Sequence, residues 1–360
     1  MKFRPSFFLP TNHQQTVMNP LLGPLLRFYN RVQLKREVFK FKDQGQTAID
    51  WVDVIPSDLS QQDGAMNKKE LRPIVVVVPG LTSNNNEIYM LNLLIEAKKK
   101  GFQGVVVNYR GASEMELSSP QLYCAASSND VREPVEYIRN KYCLNSKGQQ
   151  IRHLYLVGNS MGAGLVANYI GEENDKCFIR AACCIQPPMK MWITGQAIAN
   201  NFYGAYDKAI GSNLVRKIQK HADMIHDNYH QNFGVDLKKH LQEINTVTAY
   251  DHHITSKVFG YGTRDNYYDK ASSIHKVPHI DVPTFVLFAK DDPVIGEGSI
   301  DYEICKQNPK ILLGVTDHGG HLGYFETFMS TQQWFVKPVF EYLSKIKEMD
   351  EDNTPIEAKL

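Results

Sequence analysis

The five residues Gly158-Asn159-Ser160-Met161-Gly162 carry the clearest chemical signal in the sequence. The pattern has one glycine two residues before the serine and another two residues after it. This spacing is typical of a sharp turn from a strand into a helix, and such a turn leaves the serine hydroxyl exposed for nucleophilic attack. An apolar run precedes the turn and small residues follow it, as that context requires. The alternative is an ordinary glycine-rich turn between a strand and a helix, because the pattern alone is not specific.

A nucleophilic serine needs a general base, and the base needs an acid that orients it. Two later loops each carry two candidates, Asp291 and Asp292 in one and His318 and His321 in the other. We assign Asp292 as the acid because it directly precedes Pro-Val-Ile, and His321 as the base because glycines beside it let the backbone project the imidazole towards Ser160. For His318 and Asp291 we expect hydrogen bonding within their loops.

Negative charge on the reacting oxygen needs backbone N–H donors, and we predict two of them. The N–H of Met161 lies at the start of the helix that follows Ser160, and the N–H of Leu81 lies in the loop after the first buried strand. The alternative for the Leu81 loop is a simple turn. Arg110 follows the next strand on the same edge, where it either lines the site or forms a structural salt bridge.

Continuous apolar, β-branched runs predict the strands that position these residues, because strands covered on both faces have this pattern in parallel sheets. The runs occupy 74–78, 104–109, the segment before Gly158, 178–185, 283–289 and 311–315, with helical patterns between most of them. This order predicts an α/β fold with a doubly wound, mostly parallel sheet. Parallel strands share one carboxyl edge, so Ser160, Asp292 and His321 are expected to meet there.

The order of the predicted strands and helices divides the chain into five segments. Residues 1–35 are expected to be irregular because four prolines interrupt them. The first part of the core is placed at 36–186, a mainly helical cap insertion at 187–280, the second part of the core at 281–347 and a charged, flexible tail at 348–360. The inner wall of the cap is expected to receive the apolar part of a substrate.

Composition excludes several other classes of protein. The chain has 360 residues with 40 Lys+Arg and 39 Asp+Glu, a balance that gives no reason to expect a nucleic-acid partner. Its six cysteines form no C-x-x-C pair, which argues against a disulfide framework and a zinc site. We therefore expect neither a metal nor an organic cofactor.

Several segments together resemble the α/β-hydrolase esterases and lipases of the group that includes acylglycerol lipases and medium-chain phospholipases. The matching segments are 4–16, 79–82, 86–90, 108–111, 118–123, 259–261, 291–293 and 318–323. The resemblance covers most of the chain and implies the α/β-hydrolase fold, with the family triad on Ser160, Asp292 and His321. Many relatives have an N-terminal membrane anchor, and we expect none here from the residues of this sequence. Asn159 and Met161 differ from the residues often found beside the nucleophile.

The resemblance and the three candidate residues favour a serine esterase or lipase acting on acyl esters such as monoacylglycerols or medium-chain esters. The alternatives are a thioesterase or ester synthase with the same triad, and a non-catalytic scaffold that binds a lipid or a protein partner. No histidine is followed by Asp in the H-x4-D spacing that some acyl-transferring relatives have, which disfavours a transferase.

The sequence also bears on location. It contains no uncharged apolar run long enough to span a bilayer, so a cytoplasmic or membrane-peripheral protein is expected, with contact to a lipid surface. The last three residues, Ala358-Lys359-Leu360, resemble a peroxisomal address, which makes the peroxisome the alternative compartment.

Overall fold

One sheet of eight strands runs through the computed structural model, which describes residues 2–29, 32–61, 71–83, 85, 87–327 and 331–352. The strands are β1 (Leu34–Lys40), β2 (Gln46–Val52), β3 (Ile74–Val78), β4 (Gln103–Val107), β5 (Leu154–Asn159), β6 (Ala181–Ile185), β7 (Thr284–Ala289) and β8 (Ile311–Thr316). Their order across the sheet is β1-β2-β4-β3-β5-β6-β7-β8.

The sheet is parallel except at one edge. β2 runs antiparallel to β1 and β4, whereas β3 to β8 all run in the same direction. The predicted mostly parallel α/β sheet is therefore confirmed. In the register, Val78 of β3 lies opposite Gly158 of β5, and Asn159 lies opposite Ile185 of β6. The turn after β5 is consequently flanked by the loops that follow β3 and β6.

Helices cover both faces of the sheet. They are α1 (Asn12–Tyr29), α2 (Ile88–Lys99), α3 (Asn129–Tyr142), α4 (Met161–Glu173), α5 (Met191–Asn200), α6 (Ala205–Gln219), α7 (Ala222–Phe233), α8 (Leu237–Glu243), α9 (Val247–Tyr250), α10 (Ser256–Val258), α11 (Arg264–Ala271), α12 (Tyr302–Gln307) and α13 (Val336–Asp352). α2 and α13 pack on one face, and α3 and α4 pack on the other. This two-sided cover explains why the central strands β3 to β6 are buried at every position and mainly apolar.

The segment between β6 and β7 contains α5 to α11 and no strand. Its helices have their own apolar cluster, in which Ile225, Leu237 and Ile254 are almost fully buried. A π-helical turn, Asp251–Thr255, joins α9 to α10. The last part of the insertion packs against the sheet's helix α4, where Asn168 donates a hydrogen bond to the carbonyl of Ala271 at 3.2 Å.

The prediction of an irregular N-terminal segment is wrong, because α1 is an 18-residue helix that includes Pro20 and Pro24. Each proline removes one backbone N–H donor and so weakens the helix. Packing against other elements supplies the stabilisation that the local sequence lacks. Met18 and Leu22 of α1 contact a buried cluster that contains Ile88 and Leu91 of α2. Tertiary contact therefore decides the structure of this segment.

The C-terminal boundary also differs from the prediction. α13 continues to Asp352, so the first five residues of the predicted flexible tail belong to the helix. Asp350 pairs with Arg180 at 2.6 Å, which fixes the last turns of the helix to the start of β6. The proposed address Ala358-Lys359-Leu360 lies outside the described residues. Within the described part of the chain, every helix is too short or too polar to cross a membrane.

Candidate active site

Ser160 occupies the turn between β5 and α4 with φ 53° and ψ −123°, a conformation that non-glycine residues rarely adopt. The neighbouring glycines permit this turn. A methyl group on Gly158 would lie 2.5 Å from the carbonyl oxygen of Gly162, and one on Gly162 would collide with the carbonyl oxygen of Pro79. The sharp turn lifts Ser160 out of the sheet and brings α4 close to the end of β3.

The side chains of Ser160, His321 and Asp292 form a continuous hydrogen-bonded chain. Nε2 of His321 lies 2.9 Å from Oγ of Ser160, and Nδ1 lies 2.8 Å from Oδ2 of Asp292. Asp292 is 3% exposed, and its other oxygen accepts hydrogen bonds from the N–H groups of Val294 and Ile295 at 2.8 and 2.9 Å. The carboxylate is thereby fixed while one oxygen stays directed at the imidazole.

The alternative candidates Asp291 and His318 contact each other and the loop backbone instead of Ser160. Oδ1 of Asp291 accepts a hydrogen bond from the N–H of Gly320 at 3.0 Å, and Oδ2 lies 3.3 Å from Nδ1 of His318. Burial raises the pKa of Asp291 above its usual value. The His318 side chain is 55% exposed. This pair ties together the two loops that carry Asp292 and His321.

The two residues predicted to supply the N–H donors belong to the wall around the serine. Leu81 and Met161 both line the cleft that contains Ser160 and His321. A methyl group placed on Gly80 would lie 3.3 Å from Cβ of Ser160, so the loop after β3 approaches the serine closely. The hydroxyl of Tyr89 accepts a hydrogen bond from the N–H of Gly80 at 3.0 Å and holds this loop in place.

Helix α1 holds the loop of His321, a role that the sequence analysis did not predict. The N–H of His321 donates to Oγ1 of Thr16 at 2.8 Å, and the amide of Asn19 donates to the carbonyl of His321 at 2.9 Å. The side chain of Asn12 also donates to the carbonyl of Asp291 at 2.7 Å. The polar residues at 11–19 gave no signal of this role, because an exposed N-terminal segment would carry the same types of side chain.

Gln186 supports the same loop from the sheet. It follows β6 with φ 51° and is fully buried. Its amide nitrogen donates to the carbonyl of Gly320 at 2.6 Å, and its amide oxygen accepts from the N–H of Leu322 at 2.5 Å. These bonds fix the backbone on both sides of His321. A single glutamine after a strand has no sequence pattern that would reveal this role.

Arg110 forms a structural salt bridge, the second of the two predicted alternatives. Its guanidinium pairs with Asp130 at 2.8 Å and with Asp43 at 2.6 Å, and it lies over the ring of Phe41. Burial raises the pKa of Asp130 to about 6, although Arg110 opposes this shift. The ion pair connects the loop after β4 to α3 and to the β1–β2 turn.

The cleft above Ser160 encloses a volume of about 390 Å³. Its walls are mainly apolar, with Val17 from α1, Ile198 from α5, Ile210 from α6 and Ile295 from the Asp292 loop. Such a cleft, with a few polar groups converging at one point, is typical of a small-molecule site. Among the described residues, no group of three His, Cys, Asp or Glu side chains could hold a metal ion.

The chain is similar to several known proteins. Residues 73–328 match the family model described as alpha/beta hydrolase fold. A monoacylglycerol lipase from Saccharomyces cerevisiae is 29% identical over 93% of this chain and 78% of its own length. The phospholipase ABHD3 from Bos taurus is 27% identical over 89% of this chain and 74% of its own length.

Two further similarities are informative. The medium-chain fatty acid ethyl ester synthase/esterase 2 from Saccharomyces cerevisiae is 27% identical over 87% of this chain and 79% of its own length. Among solved structures, the esterase Pf2001 from Pyrococcus furiosus superposes with a TM-score of 0.51 at 15% identity, over 87% of this chain and 93% of that chain. At that identity the superposition shows a shared fold.

Proposed function

Because the chain belongs to the alpha/beta hydrolase family, we propose that it is a carboxylic ester hydrolase that cleaves lipid-like acyl esters through an acyl-enzyme. The observation that carries the mechanism is the hydrogen-bonded chain from Ser160 through His321 to Asp292. These three groups have the contacts that nucleophilic catalysis by serine requires.

The proposed reaction has two halves. Ser160 Oγ attacks the ester carbonyl while Nε2 of His321 takes its proton, and the resulting oxyanion accepts hydrogen bonds from the N–H groups of Leu81 and Met161. The carbon–oxygen bond to the alcohol then breaks, and His321 returns the proton to the leaving oxygen. Water, deprotonated by His321, attacks the acyl-enzyme, and the acid is released with Ser160 regenerated. Asp292 keeps the imidazole in the required tautomer throughout.

We assign the helical insertion as a cap over the cleft. Ile198, Tyr206, Ile210 and Val247 belong to the insertion and line the cleft together with Ser160. Their apolar surface supports substrates with a hydrocarbon part, and the names of the relatives support monoacylglycerols or medium-chain esters. Nothing in this mechanism uses a metal or an organic cofactor.

Exposed apolar side chains beside the cleft support contact with a lipid surface. Phe202 is 52% exposed, Tyr203 is 99% exposed, and Leu21 of α1 is 61% exposed. The ring of Phe202 lies 4.9 Å from that of His13 on α1, so the two elements meet at the same side of the cleft. Sedimentation with phosphatidylcholine vesicles tests this proposal, and no difference between wild type and Tyr203→Asn would contradict it.

A second candidate function is ester synthesis, in which an alcohol replaces water as the acceptor of the acyl group. The similarity to an ethyl ester synthase/esterase favours it. The same acyl-enzyme would serve both reactions, so partition of product between free acid and ethyl ester, measured in added ethanol, distinguishes them. A ratio of ethyl ester to free acid that exceeds the molar ratio of ethanol to water in the reaction would establish synthesis.

The direct test of the proposed function is Ser160→Ala. We expect hydrolysis of p-nitrophenyl butyrate to fall by about four to six orders of magnitude, with loss of fluorophosphonate labelling and a retained fold. Ser118→Ala is the matched control, because Ser118 is exposed and bonds only to the carbonyl of Gln44 among the described contacts. A wild-type protein without labelling would instead indicate a non-catalytic scaffold.

A further inference from the structure

The loop that follows β3 carries the N–H of Leu81 that we assign to the oxyanion. Two tyrosines hold the first part of this loop. The hydroxyl of Tyr109 donates to the carbonyl of Pro79 at 2.6 Å, and the N–H of Gly80 donates to the hydroxyl of Tyr89 at 3.0 Å. Tyr109 follows β4 and Tyr89 belongs to α2, so this part of the loop is fixed from the core of the fold.

The second part of the loop is held from the helical insertion instead. Thr82 has φ 59°, a conformation that β-branched residues rarely adopt, and its carbonyl accepts a hydrogen bond from Nζ of Lys217. Lys217 belongs to α6 of the insertion. The N–H of Ser83 donates to the carbonyl of Gly80 at 3.2 Å and closes the loop into a turn. Lys217 therefore anchors a strained residue of this turn.

Two backbone donors in the wall around Ser160 have no hydrogen-bond partner among the described residues. They are the N–H of Leu81 and the N–H of Met161, which is the first residue of α4 and so has no partner within its helix. Unpaired donors at a serine nucleophile are what an oxyanion requires. The direction of the Leu81 N–H depends on how the residues before and after it are held, and Thr82 is the residue after it.

The position of Lys217 does not favour an ammonium group. The residue is partly buried, and burial lowers the pKa of Lys217, although Glu87 opposes this shift. Together with Leu81 and Met161, its side chain lines a small space of about 50 Å³. An apolar side chain of similar length would line that space without the cost of removing a charge from water. The hydrogen bond to Thr82 is what the ammonium adds at this position.

We propose that Lys217 is a positioning residue for the oxyanion, because its bond to the carbonyl of Thr82 keeps the N–H of Leu81 directed at the reacting oxygen. This inference rests on the proposed hydrolase function. It adds that the insertion, beyond lining the cleft, completes the reactive end of the site. Asn213, one turn earlier on α6, lines the cleft itself, so a single helix contacts both the cleft and the oxyanion loop.

The test compares two substitutions on the same helix. Lys217→Met keeps the length of the side chain and removes the donor, whereas Lys208→Met removes the same charge from an exposed position of α6. Steady-state kcat and KM are measured on p-nitrophenyl butyrate. Both are normalised to the number of active sites that a fluorophosphonate labels at completion, so misfolded protein does not enter the rate.

For Lys217→Met we expect kcat to fall about ten- to hundredfold, less than the two to three orders of magnitude that follow removal of an oxyanion donor. KM should change by less than about threefold, since the bond strengthened by this donor forms mainly in the transition state. Lys208→Met should keep kcat within about twofold of wild type. A raised KM with unchanged kcat in Lys217→Met would overturn the proposal.

Two further measurements separate positioning from general support of the fold. Lys217→Arg retains a charged donor beside the small space, and we expect kcat within about fivefold of wild type. A butyl trifluoromethyl ketone forms a tetrahedral oxyanion with Ser160, so its inhibition constant should rise in Lys217→Met by about the factor that kcat/KM falls. Equal losses of kcat in the Arg and Met variants, or an unchanged inhibition constant, would overturn the proposal.

If Lys217→Met does not fold, Lys217→Ala replaces it, because alanine removes the donor and cannot overpack the small space. The same loss of kcat is expected, and a folded Lys217→Ala with the kcat of wild type would overturn the proposal. Failure of the proposed function has a different result. In that case the wild type itself neither hydrolyses the ester nor reacts with the fluorophosphonate, whereas an active wild type beside an equally active Lys217→Ala contradicts this inference alone.

Discussion

The hydroxyl of Thr16 accepts a hydrogen bond from the backbone N–H of His321 at 2.8 Å, across 305 residues of sequence. The same hydroxyl donates to the carbonyl of Asn12 at 2.8 Å, so its orientation is fixed from both sides. With Asn19 bound to the carbonyl of His321, helix α1 holds both backbone groups of the proposed base. The first helix of the chain is therefore part of the support for its chemistry.

Thr16→Val is expected to lower kcat about tenfold while KM changes little. Valine keeps the shape of threonine but removes the acceptor, which costs about 1 kcal/mol and loosens the loop of His321. Thr16→Ser retains the hydroxyl and should restore kcat to within about twofold of wild type. Steady-state kinetics on p-nitrophenyl butyrate measures both, and equal loss in the two variants would show that the methyl group matters instead.

The two histidines of the last loop are expected to differ strongly in importance. His321→Ala removes the group bonded to Ser160 and should lower kcat by about four orders of magnitude or more. His318→Ala removes an exposed side chain that contacts Asp291 and should retain activity within about fivefold. Hydrolysis rates and fluorophosphonate labelling check both variants. A more severe loss for His318→Ala would mean that the base is assigned to the wrong residue.

The two neighbouring aspartates give the matching comparison. Asp292→Asn should lower kcat by about four orders of magnitude, because the amide can present its N–H to the imidazole and favour the wrong tautomer. In Asp291→Asn, the amide oxygen can still accept the bond from Gly320, so we expect less than a tenfold loss. Circular dichroism confirms folding in each case, and similar kcat values for the two variants would contradict the assignment.

Stability is expected to fall as pH rises towards neutrality, because burial raises the pKa of Asp251 from 3.8 to about 7. The neighbouring Asp207 raises it further, whereas Thr255 and Arg264 act in the opposite direction. Between about pH 4 and pH 7 the folded protein binds a proton at Asp251 that the unfolded chain has released. The stabilising effect of that proton is present at low pH and is lost as pH rises through about 7.

In that window the contribution of Asp251 to the free energy of unfolding decreases by up to about 1.4 kcal/mol per pH unit. Asp251→Asn has no proton to lose, so its urea unfolding should show a smaller decrease between pH 5 and pH 8 than that of the wild type. Measuring both proteins cancels the titration of all other groups. Parallel pH profiles for the two proteins would disprove the buried titration.

The sheet was predictable because runs such as Ile74–Val78 are apolar at every position, which is the pattern of a strand buried on both faces. The order of Ser160, Asp292 and His321 along the chain, each after its own strand, predicted that they meet at one edge. That part of the structure depends on local patterns and on the parallel direction of the strands, both of which can be read from one sequence.

The supports of the site could not be predicted in the same way. Helix α1 forms despite Pro20 because it packs on α2, a contact between segments that are distant in sequence. Gln186 acts through two backbone groups on either side of His321, and a single residue without a repeating pattern gives no periodic signal.

The backbone at Ser160 has a consequence for how this protein evolves. Its positive φ costs about 1 to 3 kcal/mol, a substantial fraction of the net stability of an ordinary domain. Glycine at this position would adopt the same turn without that cost, so a descendant that replaced the proposed nucleophile with glycine would be relieved of the strain. On the proposed function, selection for turnover is what keeps a serine at this strained position, at the expense of stability.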